Sequence, residues 1–306
     1  MVRCYVCKNQ KVQRFADKVS CIYYQCFVCQ AIFVAPMPNK SSLQNYYVNH
    51  TTKTDDMTNK RLRSRAGHVL SICRCNNPNA EKLLDIGCGS GIFLDEVRIA
   101  KLNGIGIESS AMLSNFAKNH YAAVVYTDYF PSKRTHRFYG WADIVILSHV
   151  LEHVQNPRQF LEETLMCLSP HGMLVIETPN ADSFLCLLER ENYTFLTPPE
   201  HLCLYSLKSL IVVFNEIQQH VKIVKIETFS EPEHCMGILK ILYRQCANRV
   251  GNNQSVKTKT YRNEPKLSFW KRLKFFLFDS CLVKLLVPFF NLNNKGSILR
   301  LYVQKT

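Results

Sequence analysis

Apolar runs alternate with amphipathic stretches along the middle of this chain, and their order predicts an α/β protein. Residues 83–86 are a short apolar run broken by one acid, Asp85, that leads into glycines at positions 87, 89 and 91. Ile92, Phe93, Leu94 and Val97 follow at helical spacing with charged residues between them. That spacing predicts a buried strand, a tight turn and a helix. The alternation then repeats. Residues 104–108 predict a second strand, Ser109 and Ser110 cap a helix to about Asn119, and residues 122–126 and 142–147 predict a third and a fourth strand. Residues 207–219 read as a helix and residues 221–228 as a sixth strand. Upstream, Leu62, Ala66, Val69, Leu70 and Cys73 share a helical period within residues 57–75. Strands alternating with helices predict a doubly wound, mostly parallel sheet with a ligand across the carboxyl ends of the first and fourth strands.

The two ends of the chain follow other patterns. Near the start, short β-prone runs at residues 15–24 and 31–34 lie between and after two Cys-x-x-Cys turns, Cys4/Cys7 and Cys26/Cys29, with eighteen residues between the pairs. Two such turns aim four thiolates at one point, the tetrahedral set that Zn²⁺ prefers, and four cysteine ligands leave no position for water. A structural zinc ribbon is expected over residues 1–38, with buried free thiols or a redox pair as the alternatives. Residues 39–79 read as a linker and a helix, with Tyr46 and Tyr47 placed to cover the ligand. Residues 231–306 are expected to form a C-terminal cover and a last strand. Within them, residues 267–290 are rich in aromatics and start with basic Lys271, Arg272 and Lys274; the longest apolar part, 275–290, carries Asp279 and Lys284 and falls short of the ~20 residues a membrane span needs. Residues 267–290 read as a lid or dimer contact, or as a helix lying at a membrane face.

Composition sharpens the picture. At 306 residues and 47% hydrophobic, the chain can bury a full core and carry one small module besides. The N-terminus has no apolar run ahead of a cleavage site, so a cytoplasmic protein is expected, and its 14 cysteines are then thiols or metal ligands. The net charge of +14 is uneven: residues 1–80 hold 12 Lys/Arg against 3 Asp/Glu, residues 81–230 hold 12 against 17, and residues 231–306 hold 14 against 4. Basic flanks on an acidic core point to an anionic partner: a phosphorylated metabolite, a nucleic acid or an anionic lipid surface.

The glycine pattern narrows the ligand. A dinucleotide fingerprint would need a third glycine at position 92, where this chain has isoleucine. Asp85-x-Gly87-x-Gly89-x-Gly91, with Cys88 inside it, instead resembles the first motif of class I S-adenosylmethionine-dependent methyltransferases. A carboxylate in that strand suits a ligand bearing an ammonium group. Glu108, ending the second strand 23 residues after Asp85, is placed to accept hydrogen bonds from ribose hydroxyls. Ser148, His149 and Val150 leave the fourth strand where the sulfonium would lie.

The resemblance extends from residue 80 to about residue 230. His149-Val-Leu-Glu-His153, Pro157, Leu168-Ser-Pro-His-Gly172 and Thr178-Pro-Asn180 look like the small-molecule methyltransferases that include ubiquinone-pathway O-methyltransferases and sugar methyltransferases. His171 departs from that family's usual glycine. The resemblance implies a seven-stranded sheet whose last strand is antiparallel and inserts beside the sixth. It also implies an adenine contact at Asp128, and a substrate element at Glu200-His201-Leu-Cys-Leu-Tyr205-Ser. His201 is then the leading candidate base, with Tyr205 beside it and His149 and His153 as further candidates. Sugar C-methyltransferases of this group also carry a four-cysteine zinc module.

The expected activity is methyl transfer from S-adenosylmethionine to a small anionic metabolite, such as a nucleotide- or lipid-linked sugar, with O-, C- and N-methylation all open. An RNA methyltransferase gripping phosphates with its ribbon and basic flanks is the alternative. Ser148-His-Val-Leu stands where amino methyltransferases of nucleic acids commonly have an Asn/Asp-Pro-Pro-aromatic element, which weakens it. A non-catalytic cofactor binder would need a broken motif, and Asp85, the glycines and Glu108 are all present.

Overall fold

The computed structural model describes residues 2–18, 21–39, 43, 60–231, 288 and 291–306. Residues 232–287, 289 and 290 of the expected cover, with nearly all of its apolar segment, and Tyr46 and Tyr47 lie outside the described residues.

The core is one seven-stranded sheet. In chain order its strands are β4 (Lys82–Ile86), β5 (Asn103–Glu108), β6 (Val124–Thr127), β7 (Ala142–Ser148), β8 (Leu168–Pro179), β10 (Val221–Phe229) and β11 (Ile298–Lys305). Their spatial order is β10-β11-β8-β7-β4-β5-β6. β4 through β8 pair in parallel, and β11 runs antiparallel between β8 and β10, as the resemblance implied. The chain builds outward from β4 through β5 to β6, then crosses to β7 on the other side of β4. Strand order therefore reverses between β4 and β7, which opens a crevice at their carboxyl ends.

Helices α1 (Lys60–Asn76), α2 (Ile92–Ile99), α3 (Ala111–Tyr121), α4 (Pro157–Met166), α5 (Phe184–Glu189) and α6 (Leu207–Asn215) accompany the strands. α1 presents Ala66, Val69, Leu70 and Cys73 to the core, four of the five residues in the predicted stripe; the fifth, Leu62, is exposed. The third core strand starts two residues later than its apolar pattern suggests. α3 runs to Tyr121 and closes through Ala122 in the left-handed region, so Ala122 and Ala123 belong to the turn.

The cysteine-rich segment forms β1 (Val12–Lys18), β2 (Cys21–Cys26) and β3 (Ile32–Ala35), and its sheet takes a fourth strand, β9 (Cys203–Leu204), from much later in the chain. Ile32 and Phe33 pair with Leu204 and Cys203. Val34 N donates to Leu202 O, and Ser206 Oγ donates to Cys29 O at 2.8 Å. Cys4, Cys26 and Cys29 are buried in the same apolar cluster as Leu84, Leu147 and Tyr205. The ribbon is thus built into the core instead of standing apart as a separate module. Among the described residues no helix is long and apolar enough to cross a membrane.

Candidate active site

Two cavities meet at Gly87 in the crevice between β4 and β7. The smaller, about 200 Å³, is walled by Asp85, Cys88, Gly89, Ser148, Glu177 and Arg65 among others. The larger, about 640 Å³, is walled by Glu108, Asp128, His149, His153, Phe130 and Glu200 among others. Every cofactor-site residue expected from the sequence except Gly91 is on one of these walls.

The glycine loop explains why. Gly89 has φ +54°, and a Cβ built on it would meet nothing within 4 Å, so its backbone faces open space where a ligand can lie against it. Gly91 serves packing instead: a Cβ there would come within 2.6 Å of the Ala117 side chain on α3. Gly89 N donates to Glu108 Oε2 at 2.9 Å and Ser110 N to Glu108 Oε1 at 2.7 Å. The Glu108 carboxylate is thereby fixed at the end of β5. Asp128 accepts from Tyr129 N at 2.8 Å and from Ser132 Oγ at 2.9 Å, so it also shapes its own loop.

Electrostatics match a cationic ligand. Burial pushes the Asp85 carboxyl up to about 7, and the nearby Glu108 charge adds to the shift. A positive charge beside Asp85 reverses that penalty. The smaller cavity also holds Arg65, which pairs with Glu177 and, at 2.9 Å, with Glu231. Acids and one guanidinium around the same cavity complement an amino-acid end bearing both ammonium and carboxylate. S-adenosylmethionine has such an end, and the residues present fit it.

At the rim of β7 the backbone turns sharply. His149 has φ +54° and donates its N–H to Glu177 O at 2.8 Å. Its Nδ1 is 3.0 Å from Glu152 Oε1, and its Nε2 is 3.5 Å from Glu177 Oε1. Glu152 is fully buried, and its Oε2 accepts from Thr178 Oγ1 at 2.9 Å. Burial alone would raise that carboxyl, but the hydrogen bond with His149 and the nearby imidazoles outweigh it and hold it at about 2. Ionised Glu152 only accepts, so His149 Nδ1 carries a hydrogen. Ser148 Oγ reaches Glu177 Oε1 at 3.3 Å.

Two expected catalytic residues take other places. His201 packs against His153, ring centroids 4.9 Å apart, and donates Nδ1–H to Phe195 O at 2.7 Å. It is not among the described residues that wall either cavity, whereas His149 and His153 are. Tyr205 is fully buried, in the apolar cluster that holds Cys29 and Phe33. Pairing of β9 with β3 turns it into the ribbon interface. Sequence reasoning missed Arg65, Glu152 and Glu177 as parts of the site. Glu177 interrupts an otherwise apolar strand, the same signal that marked Asp85.

The four cysteines do converge. Cys4 Sγ lies 3.6 Å from Cys29 Sγ and Cys7 Sγ 3.5 Å from Cys26 Sγ, and all four sulfurs are within 4.8 Å of one another. None is in a disulfide. Four sulfurs bound to one Zn²⁺ at ~2.3 Å sit about 3.8 Å apart, so the residues fit that ion.

Comparison with known proteins supplies the class. Residues 58–218 match the family model described as a methyltransferase domain, which is more than half of the chain. The chain belongs to this methyltransferase-domain family. Among curated proteins it is similar to the mitochondrial ubiquinone biosynthesis O-methyltransferase of Schizosaccharomyces pombe, 30% identical over 109 residues, covering 33% of this chain and 38% of that protein. It is also similar to the ubiquinone biosynthesis O-methyltransferase of Rickettsia conorii, 26% identical over 145 residues, covering 44% of this chain and 48% of that protein. The chain thus spans less than half the length of either relative. Among solved structures it resembles a SAM-dependent methyltransferase from Archaeoglobus fulgidus, with TM-score 0.49 and 16% identity over 87% of this chain and 100% of that one.

Proposed function

We propose that this enzyme methylates a hydroxyl of a small metabolite held in the larger cavity, with His149 as the proton acceptor. The observation that carries this reading is the His149–Glu152 contact at 3.0 Å. It joins a base on the cavity wall to a buried carboxylate that orients it.

When bound, S-adenosylmethionine would supply an electrophilic methyl group, its sulfur–methyl bond breaking as the acceptor oxygen attacks and S-adenosylhomocysteine leaving. Glu108 and Asp128 would hold the adenosine end, while Asp85, Arg65 and the Gly89 backbone would hold the amino-acid end. His149 Nε2 would take the acceptor's proton, leaving the protonated ring beside Glu177. Apolar walls such as Phe130 and Val150 would pack against the acceptor and align it. The four cysteines would hold a structural Zn²⁺ next to the pairing of β3 with β9.

The acceptor is a nucleotide- or lipid-linked sugar on the sequence resemblance. A phenolic ring is the second reading, favoured by the ubiquinone biosynthesis O-methyltransferases to which the chain is similar. Incubation with methyl-labelled S-adenosylmethionine and separate pools of nucleotide sugars, lipid-linked sugars, phenols and RNA tests both. Label in a sugar or a phenol supports the proposal and names the class. Label in RNA alone overturns it.

A further inference from the structure

Behind His149 lies a second group of donor atoms. Glu152, His153 and His201 each place one candidate ligand atom within 4.8 Å of the other two. His153 Nδ1 is 2.8 Å from Glu200 O, and His201 Nδ1 is 2.7 Å from Phe195 O. A carbonyl oxygen only accepts, so both Nδ1 atoms carry hydrogens and each neutral ring has its lone pair on Nε2. The set is two imidazoles and one carboxylate.

We propose that Glu152, His153 and His201 form a mononuclear divalent-metal site behind the wall of the larger cavity, separate from the cysteine centre. Two imidazoles with one carboxylate suit Zn²⁺, Mn²⁺ or Fe²⁺, whereas Ca²⁺ and Mg²⁺ favour oxygen-rich sets. Bonds of ~2.0–2.2 Å put donors on one ion within about 4.4 Å of each other, so small side-chain rotations close the site.

The supports that metal ligands need are already in place. Each histidine is oriented by a backbone carbonyl through Nδ1–H, and the carboxylate accepts from Thr178, the outer-shell pattern that fixes metal-bound imidazoles and carboxylates. Each Glu152 oxygen has a second lone pair, so an ion can bind without displacing His149 or Thr178. Leu202 N donates to Glu152 O at 2.8 Å, which ties the two ligand segments together. Three protein ligands leave coordination positions open, and His153 is on the cavity wall. An oxygen of the acceptor is the ligand class those positions would take.

The test uses purified full-length protein dialysed against a mild chelator. Zinc is counted per chain, Co²⁺ is then titrated in, and S-adenosylhomocysteine binding is measured on the same samples. The proposal predicts one Co²⁺ per chain beyond the metal held by cysteine, without the intense thiolate charge-transfer absorption of a cysteine site. His201→Gln and Glu152→Gln should each weaken Co²⁺ binding by more than about tenfold while leaving S-adenosylhomocysteine binding in place. No Co²⁺ beyond the cysteine-bound equivalent, or equal Co²⁺ affinity in both folded variants, overturns it. Because the readout is metal bound and not methyl transferred, the result stands apart from the acceptor and from His149.

Discussion

The Tyr23 hydroxyl donates a hydrogen bond to the backbone carbonyl oxygen of His201 at 2.7 Å, across 178 residues of sequence. Tyr23 lies on the central hairpin of the ribbon, and His201 opens the segment that becomes β9. This bond, the pairing of β3 with β9 and the Ser206–Cys29 contact make the cysteine module the support of a segment next to the cavity. Tyr23→Phe removes one such bond and leaves a carbonyl in a largely buried setting. A loss of about 0.5–1.5 kcal/mol in folding stability is expected, together with slower turnover and unchanged S-adenosylhomocysteine affinity. Denaturant melts and calorimetry check both; wild-type turnover in the variant would separate the ribbon from catalysis.

Removal of metal from the four cysteines should act on the same segment. Treatment with a strong chelator is expected to raise deuterium exchange around residues 201–206 before it affects β4 and β5. Exchange that rises evenly over the chain, or not at all, would show that the cysteine centre does not anchor β9.

Asp85 predicts a pH dependence. Its carboxyl rises from 3.8 in an unfolded chain to about 7 when buried. Between those values the folded state binds more protons than the unfolded state, so this group lowers stability as pH rises from about 4 to 7. A cationic ligand favours the ionised form, so S-adenosylmethionine binding should release a proton below pH 7 and tighten as pH rises toward 7. Calorimetry in buffers of different ionisation enthalpy measures that proton, and Asp85→Asn should abolish both effects. Proton release that persists in Asp85→Asn would assign it to another group.

Glu108 holds its position through two backbone N–H groups, with the rest of its carboxylate toward the larger cavity. Glu108→Ala removes a charged acceptor worth about 1.5–3 kcal/mol. S-adenosylhomocysteine affinity should fall about ten- to hundredfold, and unchanged affinity would refute the ribose assignment.

Arg300, 3% exposed, sits 2.5 Å from Glu177 and 3.2 Å from Glu227. Breaking a buried pair by removing one partner costs ~3–5 kcal/mol, because the other charge is left without compensation. Arg300→Met should therefore lower the melting temperature strongly, and the double variant Arg300→Met with Glu177→Gln should recover part of the loss. Additive losses would mean the two residues are not coupled.

Much of this architecture was legible in the sequence because local period and turn chemistry agree with the tertiary structure. The Asp85–Gly91 loop, the helical stripe of α1 and the Cys-x-x-Cys spacing all report on neighbours a few residues away. β9 was not legible: two residues have no period, and only pairing with β3 makes them a strand. Tyr205 was misplaced for that reason, since its motif pointed to a substrate while the pairing turns it into the ribbon interface. His149 and His201 likewise differ little in sequence. Their roles separate only when Glu152 is seen against one ring and the Phe195 carbonyl against the other.

The most direct test of the account is single-turnover methyl transfer from labelled S-adenosylmethionine to the small-molecule acceptor, comparing wild type with His149→Ala. The account predicts that the variant binds S-adenosylhomocysteine as wild type does and transfers methyl ~10²–10⁴-fold more slowly. Transfer at the wild-type rate in His149→Ala would contradict it.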